Sequence, residues 1–218
     1  MTLPTLYSFR RCPYAMRARL GIYLANRAVS LREIVLKHKP EAMLALSPKG
    51  TVPVLILQNG AVIEESFEIM CWALSQNDPN DLLLTNNSAK QEAAKALIEY
   101  NDQVFKSWLD KYKYADRFPE HSQQYYRQQG ELFVQQLETL LDKHPQLFGQ
   151  GPCIADYAIY PFIRQFAHVD KAWFEQTDYK NVQQWLANHL QSEAFTTIMQ
   201  KFPTWLESEQ EFIFGGEK

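Results

Sequence analysis

The sequence predicts an α/β half followed by an all-helical half. In the first 80 residues, short alternating or β-branched segments take turns with segments of helical periodicity. From about Asn87 onward, the apolar residues recur only at helical spacing. A stretch rich in Asn, Asp and Pro separates the two patterns. We therefore expect an α/β domain at residues 1–78, a linker at 79–86 and a helical domain at 87–218.

The first half is predicted to run strand, helix, strand, helix, strand, strand, helix. Asn59-Gly60 is a strong turn signal, so the last two strands form a hairpin. Ser66 is expected to cap the final helix, which ends near Gln76. The predicted strands are 5–9, 29–36, 52–57 and 61–64, and the predicted helices begin after Cys12, near Lys39 and at Ser66.

The second half contains two apolar stripes and one segment that is apolar nearly all round. That segment, residues 154–166, is typical of a helix buried at the centre of a bundle. Two shorter helices are predicted near 182–190 and 193–201. The first stripe comprises Leu97, Ile98, Val104, Phe105, Trp108, Leu109 and Tyr112, and the second Leu132, Phe133, Leu137, Leu140 and Leu141.

Composition indicates a soluble globular protein of net charge −3. Residues 1–80 hold nine Lys/Arg against six Asp/Glu, whereas the remainder holds 13 against 19, so only the first half is basic. That imbalance suits a small anionic ligand but is too weak for nucleic acid. Neither a signal peptide nor a membrane-spanning stretch is predicted. Three widely spaced cysteines fit a reducing cytoplasm better than a disulfide framework.

Cys12 is the candidate reactive residue, because it lies where the first strand passes into the first helix. Pro13 occupies the first helical position, which proline favours. Unpaired N–H groups and the helix dipole there stabilise a thiolate, and Arg11 and Arg17 add positive charge. The thiol pKa is then expected to fall from about 8.5 into a range of roughly 3.5–7.5. The alternative is an inert cysteine buried in the core.

Four motifs fall in the order expected of one family: Cys12–Ala15, Thr51-Val52-Pro53, Glu65-Ser66 and Gly151–Asp156. Together they resemble the cytosolic glutathione transferases, in particular the omega class and related bacterial proteins that carry a cysteine at the first motif. The resemblance implies a thioredoxin-like first domain of order βαβαββα and an all-α second domain. It also implies glutathione as co-substrate, a homodimer and no metal.

The same resemblance implies how glutathione is held. Val52, before a cis-proline at position 53, would pair its backbone with the cysteinyl unit, and Glu65 with Ser66 would take the γ-glutamyl group. Lys39 would lie near the glycyl carboxylate. Tyr14 would lie beside the thiol. The alternatives are a trans Pro53, a Ser66 that only caps its helix, a solvated Lys39 and a Tyr14 that packs in the core.

Two departures from the family pattern concern cysteine. Position 15 is alanine, so the chemistry would use one thiol, with glutathione resolving the mixed disulfide. Cys71 lies in an apolar helical run and is predicted to be core. Cys153 stands where a capping box usually has Ser or Thr, so that cap is expected to be weaker by up to ~1 kcal/mol, with Asp156 still reaching back to the backbone.

The function implied is a glutathione-dependent thiol transferase or reductase, acting on glutathione mixed disulfides or dehydroascorbate-type substrates. A second substrate would lie in the cleft between domains, with Tyr100, Trp108, Tyr112 and Phe166 as candidates for its wall or, equally, for core packing or a dimer face. One alternative is conjugation of glutathione by a hydroxyl from Tyr7 or Ser8. Another is a binding or regulatory protein of the same fold.

No metal site is predicted. The five histidines, at positions 38, 121, 144, 168 and 189, show no ligand spacing, and there is no Cys-x-x-Cys. Neither a glycine-rich phosphate loop nor a nucleophile elbow is present.

Overall fold

The computed structural model describes residues 3–216. The chain forms two compact units, and the first combines the residues up to Asn80 with those from Ser192 onward. The second unit is Asp81–Gln191. The strands are β1 Thr5–Ser8, β2 Val29–Glu33, β3 Val54–Ile56, β4 Val62–Ile63 and β5 Phe212–Phe214. The helices are α1 Pro13–Leu24, α2 Glu41–Leu46, α3 Ser66–Gln76, α4 Ser88–Tyr100, α5 Lys106–Lys113, α6 Gln123–Leu141, α7 Ile154–Ala167, α8 Lys171–Gln176, α9 Lys180–Gln191, α10 Glu193–Ile198 and α11 Trp205–Ser208.

The first unit is built on a mixed sheet of order β4-β3-β1-β2-β5. β1 and β2 are parallel, and the other neighbours are antiparallel. Helix α1 packs closely on α3, and a β-carbon added at Gly21 would lie 2.5 Å from the Met70 Cα. Only glycine permits that approach. The observed order of elements confirms the predicted βαβαββα order, and the antiparallel pairing of β3 with β4 confirms the hairpin.

The expectation that residues 87–218 are helical throughout is wrong at the end of the chain. Residues from Ser192 belong to the first unit, and β5 pairs antiparallel with β2. In this strand Phe214 is buried and Ile213 is 75% exposed. Three residues are too few to show the alternating pattern of a strand, and the partner strand β2 is distant in sequence. The local sequence therefore does not predict β5.

The predicted linker at 79–86 is also partly structured. The Leu82 carbonyl accepts a hydrogen bond of 2.9 Å from the Ile154 N–H, within the second unit. The Asp81 carboxylate accepts from the hydroxyl and the backbone N–H of Thr85 and from the Asn86 amide. Those hydrogen bonds, led by the Thr85 hydroxyl, lower the pKa of Asp81. The helical unit thus begins earlier than Asn87.

The second unit has an aromatic interior around α7. Residues Asn101–Phe105 form a π-helical segment between α4 and α5, which the apolar stripe did not predict. Gly130 on α6 lies against Phe166, where an added β-carbon would approach the ring to 2.8 Å. The central segment predicted at 154–166 is confirmed as the buried helix α7, with Pro161 inside it.

Among residues 3–216, no helix combines the length and apolar character needed to cross a bilayer.

Candidate active site

Cys12 lies at the N-terminus of α1, as predicted. Its backbone is extended, its N–H donates to the Phe9 carbonyl at 3.0 Å, and its carbonyl accepts from Met16 N–H at 2.9 Å. Pro13 occupies the first helical position. The thiol is half-buried, and its Sγ lies 3.8 Å from the Val52 carbonyl oxygen. The side chain therefore lies at the helix start and remains partly exposed to solvent.

Arginines stand one residue before and five residues after this cysteine. The first turn of α1 contains no acidic residue. Arg11 is exposed, with its guanidinium 5.3 Å from the Phe9 ring centroid. Arg17, on α1, is 1% exposed and donates to the Ser66 Oγ at 3.4 Å. The positive end of the α1 dipole also favours a negative sulfur. The helix start therefore favours a thiolate, whereas the Val52 carbonyl and the apolar cluster beside Cys12 favour the protonated thiol.

The Val52–Pro53 peptide bond is cis, which confirms that prediction. Val52 is 7% exposed and belongs to a buried cluster with Tyr7, Ile34, Met43 and Val54. Cys12 packs against the same cluster. The Val52 carbonyl and the thiol are thus fixed next to each other by the packing of the sheet against its neighbouring segments.

The start of α3 brings together a carboxylate, a hydroxyl and a lysine. Glu65 is the N-cap residue, and Ser66 is the first residue of the helix, so the prediction that Ser66 is the cap is wrong. Ser66 is 4% exposed, whereas the Glu65 side chain is 57% exposed and forms an ion pair with Lys49. Lys49 was missed in the sequence, although it lies between Pro48 and Gly50 immediately before the cis-proline motif.

Lys39 and Tyr14 lie in the same unit as Cys12. Lys39 is half-buried and makes no ion pair within the described residues, and its Nζ would lie 3.8 Å from a β-carbon added at Gly50. Tyr14 is half-buried, with the Arg17 guanidinium 5.8 Å from its ring centroid. Both roles implied for these residues stay predictions.

The two hydroxyls considered for conjugation are already engaged. Tyr7 is 1% exposed, and its oxygen accepts from Arg32 Nη1 at 2.6 Å. Ser8 is fully buried, and its Oγ accepts from Arg19 Nε at 2.8 Å. Each hydroxyl therefore receives a hydrogen bond from an arginine and has almost no accessible surface.

The other two cysteines differ from Cys12. Cys71 is half-buried on α3. Cys153 is 2% exposed at the start of α7, and burial together with the neighbouring Asp156 raises its pKa to about 12. The Asp156 carboxylate accepts from the Cys153 N–H at 2.8 Å, which confirms the predicted return of Asp156 to the backbone.

In residues 3–216, no group of three or more His, Cys, Asp or Glu side chains is arranged to hold a metal ion.

Comparisons with known proteins agree with this geometry. Residues 6–81 match the family model described as the glutathione S-transferase N-terminal domain, and residues 121–188 match that of the C-terminal domain. The chain belongs to the glutathione S-transferase superfamily. Both halves of the superfamily's two-domain architecture are therefore represented, in the order that the sequence motifs predict.

Within the superfamily, the chain is similar to omega proteins at low identity. It is 25% identical to glutathione S-transferase omega-1 of Mus musculus over 91% of this chain and 77% of the mouse protein. It is 27% identical to the Sus scrofa omega-1 protein over 73% of this chain and 66% of the porcine protein. A probable glutathione transferase of Aplysia californica is 34% identical over 44% of this chain and 94% of its own length.

Solved glutathione transferases share the fold. A Pseudomonas fluorescens pf-5 family member, crystallised with two glutathione molecules bound, has a TM-score of 0.78 at 15% identity, covering 90% of this chain and 92% of its own. A Pseudomonas putida glutathione transferase, crystallised with one glutathione disulfide per subunit, has a TM-score of 0.78 at 17% identity, covering 91% of each chain.

The four residues considered for a second-substrate wall separate into two pairs in this glutathione S-transferase. Tyr112 and Phe166 are 2% and 0% exposed, and their rings contact each other at 5.2 Å between centroids. They are core residues of the helical unit, so their assignment to a pocket wall is corrected. Tyr100 is 37% exposed and stacks on Phe133 at 5.4 Å, and Trp108 is half-buried. Helical periodicity identifies the apolar face of a helix but does not tell which side chains on that face are fully buried.

Proposed function

We propose that this protein is a glutathione-dependent thiol transferase with Cys12 as its single nucleophile. The observation that carries the proposal is the position of Cys12, half-buried at the start of α1 with its Sγ 3.8 Å from the carbonyl oxygen before a cis-proline. A thiol at the N-terminus of a helix is in an environment that makes cysteine a nucleophile at neutral pH. The omega similarity favours the same class.

The reaction proceeds by two thiol–disulfide exchanges. The Cys12 thiolate attacks the glutathionyl sulfur of a mixed disulfide, forms a new S–S bond and releases the substrate thiolate, which takes a proton from water. A second glutathione, as its thiolate, then attacks the glutathionyl sulfur on Cys12. Oxidised glutathione leaves and the Cys12 thiolate is restored. Since a good leaving thiolate is one of low pKa, the helix start assists both steps. With dehydroascorbate-type substrates, two glutathiones supply the two electrons.

Glutathione is held, in this proposal, by groups from three segments. The Ser66 hydroxyl and the free N–H groups of α3 receive the γ-glutamyl carboxylate. The exposed Glu65 carboxylate receives the α-ammonium group and exchanges its Lys49 partner for it. Val52 pairs with the cysteinyl backbone, and Lys39 receives the glycyl carboxylate. Tyr14 lies beside the reacting sulfurs.

Conjugation by a hydroxyl is disfavoured because of the burial of Tyr7 and Ser8. Tyr7 is 1% exposed and Ser8 is 0% exposed, so neither presents its O–H to a glutathione sulfur. A purely regulatory role would not require a thiol at a helix start beside a cis-proline.

The experiment is reduction of a glutathione mixed disulfide, coupled to glutathione reductase, in wild type, Cys12→Ser, Cys12→Ala and Cys71→Ser. We expect both Cys12 variants to lose about 10²-fold or more in kcat/KM and Cys71→Ser to retain activity. Mass spectrometry of the wild type should show one glutathionyl group on Cys12.

Conjugation of chlorodinitrobenzene is measured alongside. Conjugation that persists or rises in Cys12→Ser, with little reductase activity in wild type, would overturn the proposal in favour of hydroxyl chemistry. Glutathione binding without either activity would favour a binding protein.

A further inference from the structure

A buried ion pair lies beneath the segment that carries Cys12. Arg19, on α1, has no exposed side-chain surface and pairs with Glu33 at the end of β2. Its Nε donates to Ser8 Oγ at 2.8 Å, and its Nη1 donates to the Ile198 carbonyl at 3.0 Å. Burial lowers the pKa of Arg19, and the Glu33 carboxylate opposes that effect. The guanidinium thus joins α1, β1, β2 and α10.

Glu33 carries this connection to the thiol segment. One of its oxygens accepts from Arg19, and the other, Oε1, accepts from the backbone N–H of Arg10 at 2.7 Å. Arg10 lies in the turn between β1 and α1, two residues before Cys12. The same turn is closed by the hydrogen bond from Cys12 N–H to the Phe9 carbonyl. A carboxylate fixed by Arg19 therefore fixes the turn that presents the thiol.

Stability alone does not account for such a pair. Desolvation offsets most of the attraction between two buried charges, and apolar residues of similar volume frequently replace them without loss. An apolar side chain cannot replace one that accepts a hydrogen bond from a backbone N–H, because the N–H would lose its acceptor. Glu33 is that acceptor for Arg10.

We propose that Arg19 and Glu33 are positioning residues for Cys12. Arg19 orients the Glu33 carboxylate, and the carboxylate anchors the Arg10 N–H so that the thiol lies within the field of the α1 N-terminus. The inference rests on the proposed role of Cys12 as the nucleophile.

The test is the double variant Arg19→Met/Glu33→Leu, which removes the anchor and leaves no unpaired charge. Carbamidomethylation of Cys12 by iodoacetamide is followed by mass spectrometry as a function of pH, and folding is checked by thermal unfolding. Because the Arg10 N–H, Ser8 Oγ and the Ile198 carbonyl lose their partners, we expect a lower melting temperature than that of wild type with cooperative unfolding retained. We also expect a reaction midpoint about one pH unit higher and about tenfold slower alkylation at neutral pH. Reductase kcat should fall more than the KM for glutathione rises.

A matched control comes from the same sheet. Arg32 and Glu211 also form an ion pair, but neither contacts the backbone of residues 9–12. Arg32→Met/Glu211→Leu is expected to leave the Cys12 midpoint unchanged. The double variant removes one positive and one negative charge, so the net charge is unchanged, and Arg11, Arg17 and Lys39 stay intact. A shifted midpoint in that variant therefore reports a displaced thiol rather than a change in net charge.

Two further variants keep the proposal falsifiable if the double variant does not fold. Glu33→Gln retains the volume but has one acceptor oxygen for two donors, so an intermediate shift is expected. Arg19→Lys retains the charge beside Glu33 and should restore most of the wild-type midpoint. A folded double variant, or a folded Glu33→Gln, with the wild-type midpoint would overturn the positioning role. A wild-type midpoint at the value of free cysteine would instead contradict the proposed function itself.

Discussion

Two cysteines of this protein begin helices, and their surroundings are opposite. Cys12 begins α1, is half-buried and has no acidic residue in the first turn after it. Cys153 begins α7, is 2% exposed and has Asp156 in that turn. Burial and the Asp156 carboxylate raise the pKa of Cys153 to about 12. The start of a helix therefore does not by itself produce a reactive thiol, because desolvation and a neighbouring carboxylate can outweigh the dipole.

The two helix starts also differ in what they hold. Asp156, fully buried, accepts from the Cys153 N–H, from the Leu147 N–H at 3.0 Å and from Trp185 Nε1 at 2.9 Å. The α7 start is thus closed by the protein's own groups. The Cys12 thiol at the α1 start is half-buried and lies 3.8 Å from the Val52 carbonyl oxygen. One helix start stabilises the fold, and the other is the one that we propose as the site of chemistry.

The largest expected effect is on the closed helix start. Asp156→Ala removes three buried hydrogen bonds to one carboxylate, and the free energy of unfolding should fall by about 3–5 kcal/mol, measured by urea denaturation. Asp110→Ala, which removes an exposed partner of Lys106, should cost less than about 0.5 kcal/mol. Equal losses in the two variants would mean that the α7 start is not a structural anchor.

The start of α3 should respond as a binding site. Ser66→Ala is expected to raise the KM for glutathione about tenfold, since a hydroxyl donor to a carboxylate contributes about 1.5 kcal/mol, and to change kcat little. Steady-state kinetics of disulfide reduction provide the measurement, with Ser75→Ala on the exposed end of the same helix as control. An unchanged KM would remove Ser66 from the proposed glutathione site.

The raised pKa of Cys153 predicts a loss of stability in alkali. The unfolded chain ionises this thiol near its ordinary pKa of 9.0, while the folded chain keeps it protonated to about 12. The unfolded state therefore binds fewer protons in that window, and stability falls as pH rises. Between pH 8 and 10 this thiol should contribute a loss of about 1 kcal/mol. The measurement is the free energy of unfolding by urea at pH 8 and at pH 10. The drop between the two pH values should be larger in wild type than in Cys153→Ser, and the excess is the contribution of this thiol.

Cys153→Ser should also stabilise the protein slightly at neutral pH. A hydroxyl accepts the capping hydrogen bond better than a thiol, so the free energy of unfolding should rise by about 0.5–1 kcal/mol with disulfide reduction unaffected. The corresponding change at the other helix start, Cys12→Ser, should abolish that reduction. A Cys153→Ser variant that loses reductase activity would contradict the contrast between the two cysteines.

Local chemistry made one part of this site predictable from the sequence. A strand followed by Cys12-Pro13 indicates a thiol at a helix start, because that signal lies within a few residues. The cis-proline at position 53 is implied by the family resemblance of Thr51-Val52-Pro53 and not by local chemistry. The contacts of Lys49 with Glu65 and of Glu33 with Arg19 and Arg10 could not be predicted, since they join distant segments. Strand β5 could not be predicted for the same reason, because it pairs with the distant strand β2.

The most direct test of the account is the pH dependence of iodoacetamide alkylation at Cys12 and Cys153 in the native wild-type protein, resolved by mass spectrometry of the two peptides. We predict half-maximal reaction of Cys12 well below the free-cysteine value of about 8.5. Cys153 should stay unmodified until the protein unfolds. Titration of Cys12 at or above the free-cysteine value, or modification of both thiols together, would contradict the assignment of Cys12 as the nucleophile.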